Sequence, residues 1–530
     1  MTATMTQEKT GTEAERDSFG WLLRAEWTKF RTVRGWVIAM VIAAAVTAGV
    51  GLWAASGPQN SCQPSGPNGP IGSPVACKPV NPLGPGGEAV ADSFYFVHRT
   101  LTGNGSITAR VTSLTGLKSP NGGIAPGPDP ERNFVRGSVQ PWAKAGIIIE
   151  QSSRPGSPYT AMMVTGQHGV WMQYDYTQDT PGLPGAVATS APRWLRLVRS
   201  GDTLTGYDSA DGRHWIRVGT ADLAGLPGAV QAGLFVTSPL AVAGQNTAPS
   251  LASAAFDHVS TPGPRPGGGW RGTGVGGGAP YPSLPGGFHQ AGGAFTVHGS
   301  GDIAPIGPSP AGLGKPGDDG LAGAFVALIV VIVVGAMFMT AEYRRGLSRT
   351  TLAASPARGR VLAAKAVVIG SVSFAAGLIG AAPVIPVGAS LLRGHGNYVF
   401  PMSALTEVRL VAGTAALLAV AAVLALAVGT ILRHSAGAIT AVIALVVVTY
   451  FFSAPLAVLP LGVADWLLRV TPAAGFAIQQ YVPAYPQVSN AYTPQNGYFP
   501  LAPWAGFGVL CLWAALALWL AAVLLRRRDA

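Results

Sequence analysis

The sequence predicts a mixed fold, a six-span α-helical membrane bundle with an all-β sandwich inserted between its first and second spans. Three observations support this fold class. Six apolar segments are each long enough to cross a bilayer. Arginine clusters lie on one flank of several of these segments. A long stretch with few charges, residues 56–320, separates the first segment from the second.

The composition fits a membrane protein with an attached soluble domain. Charged residues make up 11% of the chain and hydrophobic residues 48%, whereas a globular chain has roughly 25% charged residues. The formal net charge of +11 lies largely in short clusters beside the apolar segments, which is a topological signal rather than a nucleic-acid-binding surface. We therefore expect no nucleic-acid partner. The Ala-, Gly-, Pro- and Arg-rich composition is typical of a high-GC actinobacterium.

The N-terminal part is predicted to be a disordered tail, residues 1–17, followed by an amphipathic helix in the membrane interface, residues 18–35. At about 100° per residue, Arg24, Thr28 and Arg31 face away from one apolar stripe. The stripe consists of Phe19, Leu22, Leu23, Trp27, Phe30 and Val33.

Glu26 breaks this pattern, because it lies close to the centre of the apolar stripe. A carboxylate there loses hydration, which is costly unless a partner compensates. We expect Glu26 to pair with Arg344, Arg345 or Arg358, or to cap the helix that carries them. Alternatively, the helix rolls slightly and Glu26 reaches water at the lipid surface.

Basic clusters determine the expected topology. The first span, residues 36–55, follows one cluster, and the second, residues 321–339, precedes another. Since basic residues near span ends stay cytoplasmic, the chain crosses outward at the first span and returns at the second, which leaves the insertion outside the cell. The first segment starts late and is about 18 residues long, so it suits a span better than a cleaved signal peptide. The clusters are Arg24, Lys29, Arg31 and Arg34, and then Arg344, Arg345 and Arg349.

Four further spans complete the predicted bundle, and we expect no charged side chain in their interiors. Arg433 and the C-terminal Arg526–Arg528 place both termini in the cytoplasm of a multi-pass protein of a bacterial plasma membrane. Pro383 and Pro386 are expected to kink the third span. The four spans are 364–391, 410–432, 436–458 and 504–525, and the outer segments between them are 392–409 and 459–503.

The sequence predicts no enzymatic chemistry in this chain. Ion-driven transporters need titratable groups at membrane depth, and the apolar segments offer none. The closest approach to a phosphate loop, Gly312–Lys315, has Pro316 where a metal-binding Ser or Thr is needed. We therefore expect no catalytic residue, metal site or cofactor, and we expect the energy for transport to come from another chain.

Two cytoplasmic segments indicate which chain that is. The interfacial helix has the form Leu23-x-x-Glu26-x-x-Lys29. The segment 341–362 carries Glu342-x-x-x-Gly346 and then Thr351, Leu352, Pro356 and Arg358, with Lys365 beyond it. In this order, and with six spans, the segments resemble the permease subunits of the type-2 ATP-binding-cassette (ABC) exporters. The resemblance covers residues 18–55 and 321–528.

The resemblance implies a pair of six-span subunits, as a homo- or heterodimer, driven by two cytoplasmic ATPase subunits. Segment 341–362 would be the coupling element that contacts the ATPase. Alternatively, its arginines only anchor the topology and contact lipid phosphates, which explains Glu342 and Gly346 less well because neither attracts anionic lipid. The implied coupling residues are Glu26, Glu342, Arg344, Arg345, Gly346, Pro356 and Arg358.

The insertion begins and ends with predicted linkers. Residues 56–87 are rich in Pro, Gly and Ser, and residues 261–320 in Gly and Pro, apart from a candidate returning strand near 293–303. Between them, residues 88–260 contain nine evenly spaced β-rich runs, which predict a β-sandwich of one domain. The runs are Ser106–Val111, Ala145–Gln151, Tyr159–Val164, Val170–Tyr176, Trp194–Arg199, Thr203–Asp208, Trp215–Thr220, Val230–Thr237 and Ala254–Val259.

Five pieces of this domain give it a second resemblance: Phe94–Phe96, Gly105–Val111, Lys144–Ile149, Trp194–Leu197 and Tyr207–Trp215. Together they resemble a concanavalin-like jelly roll of the lectin/glucanase superfamily. Glucanases of this fold use paired carboxylates on one strand. This sequence lacks that pattern, so we expect no hydrolysis.

Other polar and aromatic residues of the domain leave alternatives open. Trp171, Tyr174, Asp175 and Tyr176 could bind an extracellular glycan, or could pack as sheet surface. Asp208 and Asp211 could hold calcium, or form a plain turn.

The cysteines fit the same placement. Cys62 and Cys77 lie in the predicted outer linker, whereas Cys511 lies in the last span. Outside the cytosol the first two could form a disulfide, or remain free thiols in a mobile tether.

The sequence thus predicts the permease subunit of an ABC exporter with an extracellular lectin-like domain of binding or gating role. Its expected partners are an ATPase subunit, a second permease subunit, membrane lipids and an extracellular glycan. The alternative is a membrane-anchored carbohydrate-binding or sensor protein whose bundle only displays the domain. Such an anchor needs neither the coupling segment nor six spans.

Overall fold

The computed structural model describes residues 19–56, 82–118, 135–243, 246–262, 266–276, 285–307, 323–344, 358–395, 399–453, 459–482, 484–488, 492–494 and 497–528. They form two compact units, a helical unit from the chain before and after the insertion, and a β unit formed mainly by residues 78–314. Several features named above lie outside the described residues: the tail 1–17, Cys62, Cys77, Arg345, Gly346 and Pro356.

The helical unit contains six helical segments that are long and apolar enough to cross a membrane. Each corresponds to one of the six predicted spans. They run Arg34–Ser56, Gly323–Tyr343, Arg358–Gly394, Ala404–Leu432, Ser435–Ser453 and Pro503–Arg527. The helices are α1 (Phe19–Thr32), α2 (Arg34–Ser56), α3 (Gly323–Arg344), α4 (Arg358–Ala381), α5 (Val384–Gly394), α6 (Ala404–Leu432), α7 (Ser435–Val442), α8 (Thr449–Ser453), α9 (Leu461–Val470) and α10 (Pro503–Arg528).

Helix α6 occupies the centre of the helical unit, since it contacts α3, α4 and α10. Most of its residues between Leu410 and Thr430 are buried, as expected of a helix that is apolar on all sides. Ser403 caps its start by accepting a hydrogen bond from the Thr406 amide at 3.3 Å. Arg433 ends it in the left-handed conformation, with a φ of 54°.

Three membrane helices are not regular, continuous spans with the predicted ends. The third is interrupted at Ala382 and Pro383, between α4 and α5, where a kink at Pro383 was expected because proline lacks the amide N–H that continues a helix. Pro386 lies inside α5. The fourth begins at Ala404, earlier than predicted. The fifth contains a π-helical turn, Ile443–Val448, between α7 and α8.

The segment 459–503, predicted only as an outer connection, is structured in its described part. After α9 comes a 3₁₀-helix, Pro472–Gln479, whose residues are all buried. Glycines permit its close packing against α6 and α10. A Cβ at Gly475 would lie 2.7 Å from Leu510 Cδ2, and one at Gly413 would lie 2.5 Å from Ile478 Cγ1.

The β unit contains nineteen described strands, and each of the nine predicted runs overlaps one of them. The strands are β1 (Val90–Asp92), β2 (Phe94–Thr102), β3 (Gly105–Lys118), β4 (Val135–Gly137), β5 (Lys144–Glu150), β6 (Tyr159–Thr165), β7 (Val170–Tyr174), β8 (Gln178–Pro181), β9 (Arg193–Ser200), β10 (Thr203–Ser209), β11 (Ile216–Asp222), β12 (Ala229–Thr237), β13 (Ala241–Ala243), β14 (Asn246–Ala248), β15 (Leu251–Ser260), β16 (Pro266–Val275), β17 (Gly287–Ala291), β18 (Ala294–Gly299) and β19 (Ile303–Pro305).

Two large antiparallel sheets form the β unit. The larger has eight strands, β11-β10-β9-β3-β15-β18-β17 with β4 beside β3. The smaller has seven, β16-β2-β12-β5-β6-β7-β8. Alternate residues from both sheets form one core, which includes Ile107, Leu197, Ile147 and Leu234. This is the expected packing of a β-sandwich.

A second apolar layer covers the other face of the seven-stranded sheet. There β1 and β19 pair as an antiparallel ribbon, with Asp92 opposite Ile303. Val90 and Ile303 pack with Phe96 and Phe235 of the sheet. We call this ribbon the clasp, because it joins the first and last strands of the β unit. Strands β5 and β6, covered on both faces, are buried along their whole length.

Polar side chains fix the clasp to the sheet. The ammonium of Lys144 donates to Asp302 Oδ1 at 2.5 Å and to the Ile303 carbonyl at 2.7 Å. The Tyr176 hydroxyl donates to Asp92 Oδ2 at 2.7 Å. Since Lys144 is only 1% exposed, loss of Asp302 would leave a buried charge without its partner.

The β unit extends beyond the predicted domain 88–260. Strands β16 to β19 lie within residues 261–320, which were predicted to be a linker with a returning strand near 293–303. Strand β18 coincides with that predicted strand, whereas β16 and β17 were not expected. Strand β16 pairs with β2, β18 with β15, and β19 with β1. The Gly- and Pro-rich composition was misleading here, because these strands are specified by their neighbours in the sheets rather than by their own propensity.

Candidate functional site

The candidate site begins with Glu26 on α1. Glu26 is only 2% exposed, although it is a carboxylate on a helix that carries five basic or hydroxyl residues. Its neighbours along the buried face of α1, Leu22 and Phe30, are apolar and buried. Placing a carboxylate in that stripe requires a compensating charge.

Two lysines provide that charge. Lys365 Nζ donates to Glu26 Oε2 at 2.7 Å and to Glu342 Oε1 at 2.6 Å. Lys29 Nζ donates to Glu26 Oε1 at 2.8 Å and to Glu342 Oε1 at 3.2 Å. We call these four residues the ion cluster. It joins α1, α3 and α4 through alternating positive and negative groups.

Burial differs across the ion cluster. The side chain of Lys365 is 1% exposed and that of Glu26 is 3% exposed, whereas the side chain of Lys29 is 39% exposed. The cluster is therefore closed on the Lys365 side and open to its surroundings at Lys29. Burial lowers the pKa of Lys29, but hydrogen bonds and charge from Glu26 and Glu342 outweigh it, so that this pKa is raised.

Aromatic residues surround the closed side. Lys365 Nζ lies 4.8 Å from the centroid of the Phe338 ring, a geometry in which the ring face attracts the cation. Phe338 meets Phe30 and Trp36 edge to face, with centroids 6.1 Å and 5.1 Å apart. The low polarity of these rings strengthens the attraction between the buried charges.

Two members of the ion cluster flank the connection between α3 and α4, which contains most of the predicted coupling segment 341–362. Glu342 is in the last turn of α3, and Lys365 is in the second turn of α4. The connection between these helices, residues 345–357, lies outside the described residues. At the start of α4, Arg358 donates to the Leu525 carbonyl of α10 at 2.9 Å. Tyr343 stacks under Arg433, whose guanidinium carbon is 5.2 Å from the ring centroid.

The partners of Glu26 that the structure describes are lysines, while the side chains of Arg344 and Arg345 lie outside the described residues. Arginines of the coupling segment were predicted, but both carboxylate oxygens contact lysines. The alternative, in which Glu26 reaches water, is also wrong, since Glu26 is buried. Among the predicted coupling residues that are described, Glu26 and Glu342 come together, while Arg358 contacts α10. The side chain of Arg344 is outside the described part, as are Arg345, Gly346 and Pro356.

Lys29 and Lys365 are the residues that sequence reasoning missed as partners. Lys365 lies inside the predicted third span, for which no interior charge was expected. A single lysine within an apolar helix needs a counter-charge at the same depth, and a second carboxylate, Glu342, follows the other flanking span. That requirement could have identified the pairing of Lys365 with Glu342 from the sequence.

The predicted glycan residues do not form one surface. Trp171 and Tyr174 lie on opposite faces of the seven-stranded sheet, because Tyr174 packs on the sandwich core and Trp171 on the layer beneath the clasp. Tyr176 is fully buried and bonded to Asp92. Asp175 occupies a left-handed turn, with a φ of 47°. Trp171 is partly exposed, and its indole donates to the carbonyl of His168, whose side chain is exposed.

Asp208 and Asp211 have different hydrogen-bonding environments. Asp211 closes a turn by accepting from the amides of Arg213 and His214, each at 2.8 Å. Those hydrogen bonds lower its pKa. Asp208 is buried and accepts from the Leu183 amide at 2.6 Å. Asp211 thus forms the turn that the alternative predicted, whereas Asp208 lies in strand β10 and contacts a distant segment of backbone.

Comparison with solved structures gives only distant likenesses for this chain. Scytalido-glutamic peptidase with a transition state analog inhibitor matches at 8% identity and a TM-score of 0.26, over 41% of this chain and 100% of that chain. A functionally unknown protein from Saccharomyces cerevisiae matches at 14% identity and a TM-score of 0.21, over 33% of this chain and 77% of that chain. TM-scores this low do not establish a shared fold.

Comparison with protein families is decisive. The family model described as ABC-2 family transporter protein matches residues 175–530. This match includes α3 to α10, and with them Glu342 and Lys365 of the ion cluster. A comparison with curated proteins found no match. Because the family model covers more than half of the sequence and the helical unit has six apolar helices, the chain belongs to the ABC-2 transporter family and is a multi-pass permease component of an ABC transporter.

Proposed function

We propose that this chain is the permease subunit of an ATP-driven exporter, that it works as a dimer with separate cytoplasmic ATPase subunits, and that its β unit lies outside the cell. The observation that supports this most is the ion cluster. It links the interfacial helix α1 to α3 and α4, the two helices that the predicted coupling segment, residues 341–362, connects.

The ion cluster suggests how a push on that segment would reach the membrane helices. Glu342 lies in the last turn of α3 and Lys365 in the second turn of α4. Their side chains form a salt bridge in which Lys365 Nζ is 2.6 Å from Glu342 Oε1. Separating buried charges is costly, so α3 and α4 would move together and would carry α1 through Glu26. The hydrogen bond from Arg358 extends the same connection to α10.

The test is a complex of the chain with its ATPase in proteoliposomes, scored by copurification and by the rate of ATP hydrolysis. In wild type we expect the ATPase to copurify and its hydrolysis rate to change on assembly with the permease. Glu26→Gln should preserve copurification and remove most of that change. Lys365→Gln should have a similar effect, because its ammonium contacts both Glu26 and Glu342.

The matched control is Glu407→Gln, which removes an exposed carboxylate at the start of α6 and should behave as wild type. The proposal fails if no ATPase copurifies. The role of the ion cluster fails separately, if Glu26→Gln and wild type give the same hydrolysis rate in an intact complex.

We also propose that the β unit is a concanavalin-like jelly roll that binds a ligand or gates the exporter from outside. Its two packed antiparallel sheets support this fold. Trp171, which is partly exposed beside the exposed His168, is our candidate for a glycan contact. A protein that merely displayed the β unit would have no need for a buried ion cluster around a cytoplasmic connection, so we favour the exporter over the display anchor.

A further inference from the structure

A pocket of about 490 Å³ lies in the helical unit between α9, the end of the 3₁₀-helix and the start of α10. It is remote in sequence from the ion cluster. Its lining combines opposite charges with aromatic rings: Asp465, Arg469, Gln480, Tyr492, Tyr498 and Phe499, closed by residues 500–503. Such a mixture of groups favours a polar ligand that carries both charges.

The two charged residues of the pocket are available to a ligand. Asp465 and Arg469 lie one turn apart on α9, yet they form no ion pair with each other, and neither contacts another charged group among the residues that the structure describes. Residues at this spacing project about 5–6 Å apart on a helix. A ligand with an anionic and a cationic group at a similar separation would satisfy both.

Aromatic rings form the third side of the pocket. Tyr492 and Tyr498 meet edge to face with ring centroids 5.1 Å apart, and both are partly buried. The faces of such rings attract ammonium groups. Gln480 is already engaged, because its Oε1 accepts from the Phe499 amide at 2.8 Å. It therefore shapes the wall of the pocket, and the tyrosine rings line the pocket beside the two charged residues.

Two tryptophans indicate the depth of the pocket in the membrane. Trp466 is 61% exposed and Trp504 is 66% exposed, and each is adjacent in sequence to a pocket residue, Asp465 and Pro503. Exposed tryptophans at the end of a membrane helix concentrate at the level of the lipid headgroups. The pocket is thus at the membrane interface, where α10 begins.

Helix α9 has the character of an interfacial helix. Val463, Trp466 and Val470 form an exposed apolar face, while Ala464 and Leu468 are buried. The Trp513 indole donates to the Val470 carbonyl at 2.9 Å and ties the end of α9 to α10. An exposed apolar face beside a polar pocket suits a molecule that has an apolar chain and a charged headgroup.

From this arrangement we propose that the pocket binds the headgroup of a zwitterionic amphiphile, such as a phospholipid. Arg469 binds its phosphate, Asp465 and the tyrosines bind its ammonium group, and its acyl chains lie along the apolar face of α9. This site is independent of the ion cluster and of the ATPase partner.

The experiment measures binding of dioctanoyl phosphatidylethanolamine to the purified full-length chain in detergent, with dioctanoyl phosphatidylglycerol and inorganic phosphate as comparison probes. Wild type should bind the zwitterionic lipid more tightly than the anionic one. Arg469→Gln should weaken binding of both lipids about tenfold, since it removes a charge-assisted contact to phosphate. Asp465→Asn should weaken only the zwitterionic lipid and so remove the preference.

Controls of equal charge change are Arg393→Gln and Glu407→Gln, which alter exposed residues outside the pocket and should leave binding unchanged. Asp465 and Arg469 have no described ion-pair partner to lose, and a thermal unfolding scan will verify that their variants remain folded. Equal binding of phosphate and lipid would reduce the pocket to an anion site and overturn the proposal. Unchanged lipid binding in both pocket variants would also overturn it, because the lipid would then bind elsewhere.

Discussion

At the scale of single residues, Lys365 shows how the helical unit tolerates buried charge. Its ammonium reaches two carboxylates and an aromatic face, so its positive charge is balanced within a few ångströms. Glu26 and Glu342 depend on it in turn, because the other cation, Lys29, is partly exposed. Deleting one member of such a group costs more than the group contributes as a whole.

We predict that Lys365→Met will destabilise the helical unit by about 3–5 kcal/mol, because two carboxylates would share one partly exposed lysine, Lys29. The measurement is thermal unfolding of the full chain in detergent, followed by near-ultraviolet circular dichroism. Adding Glu342→Gln to Lys365→Met should recover part of the loss.

Arg360→Met is the control for this variant, since Arg360 is an exposed cation on the same helix. An equal loss in both single variants would mean that helix propensity or surface charge, rather than the ion cluster, accounts for the effect.

At the scale of elements, the clasp carries a buried acid whose protonation matters. Asp92 in β1 accepts from the Tyr176 hydroxyl and from the Gly156 amide at 2.8 Å. Burial outweighs these hydrogen bonds and raises the pKa of Asp92 from 3.8 to about 6. Burial also raises the pKa of Glu150, and the nearby charge of Asp92 raises it further.

We predict that acid stabilises the clasp. The folded carboxyl of Asp92 holds its proton up to about pH 6, whereas the unfolded one loses it near pH 4. Its contribution is therefore fully present below pH 4 and is lost as pH rises through about 6, a change of about 3 kcal/mol. The measurement is urea unfolding of the fragment 82–307 between pH 4 and pH 7.5, by tryptophan fluorescence.

Asp92→Asn should flatten this pH dependence, while Asp222→Asn, an exposed carboxyl of β11, should leave it unchanged. The fragment begins at residue 82 and ends at residue 307 because a piece that stopped at residue 303 would divide β19. If the free energy of unfolding changes equally with pH in wild type and in Asp92→Asn, the pH dependence comes from other acids of the sheet.

Strands and membrane helices were predictable to different degrees from local pattern. Alternation of apolar and polar residues identified β9 and β10, and continuous apolar runs identified the six spans. Strand β16 could not be found in this way, because its sequence, Pro266–Val275, is half glycine and its extended state follows from pairing with β2. The same holds for the buried Pro472–Gln479, whose placement depends on close approach at distant glycines.

The residues of the two candidate sites were predictable only in part. The burial of Glu26 was foreseeable from its position on α1, but the identity of its partner was not, because α1 and α4 are more than three hundred residues apart in sequence. Likewise, the period of the β7 strand places Trp171 and Tyr174 on opposite faces, and this alone argued against a shared glycan surface.

At the scale of the whole molecule, the proposed topology places the β unit and the ion cluster on opposite sides of the membrane. In a background with the three native cysteines replaced by serine, we predict that Ser200→Cys in the β unit reacts with an impermeant thiol reagent in intact cells. Arg360→Cys at the start of α4 should react only after the cells are opened. Labelling of both, or the reverse pattern, would contradict the arginine-based topology.

The clasp has a consequence for the ancestry of such a chain. Paired strands run about 5 Å apart, so the β unit receives and releases the chain at neighbouring points. The helices on either side of it, α2 and α3, also contact each other. A short peptide could therefore replace residues 82–307 without pulling the membrane helices apart. The fold thus allows evolution to add, lose or exchange this module as a single piece, because adjacent ends on both units make an insertion compatible with the surrounding structure.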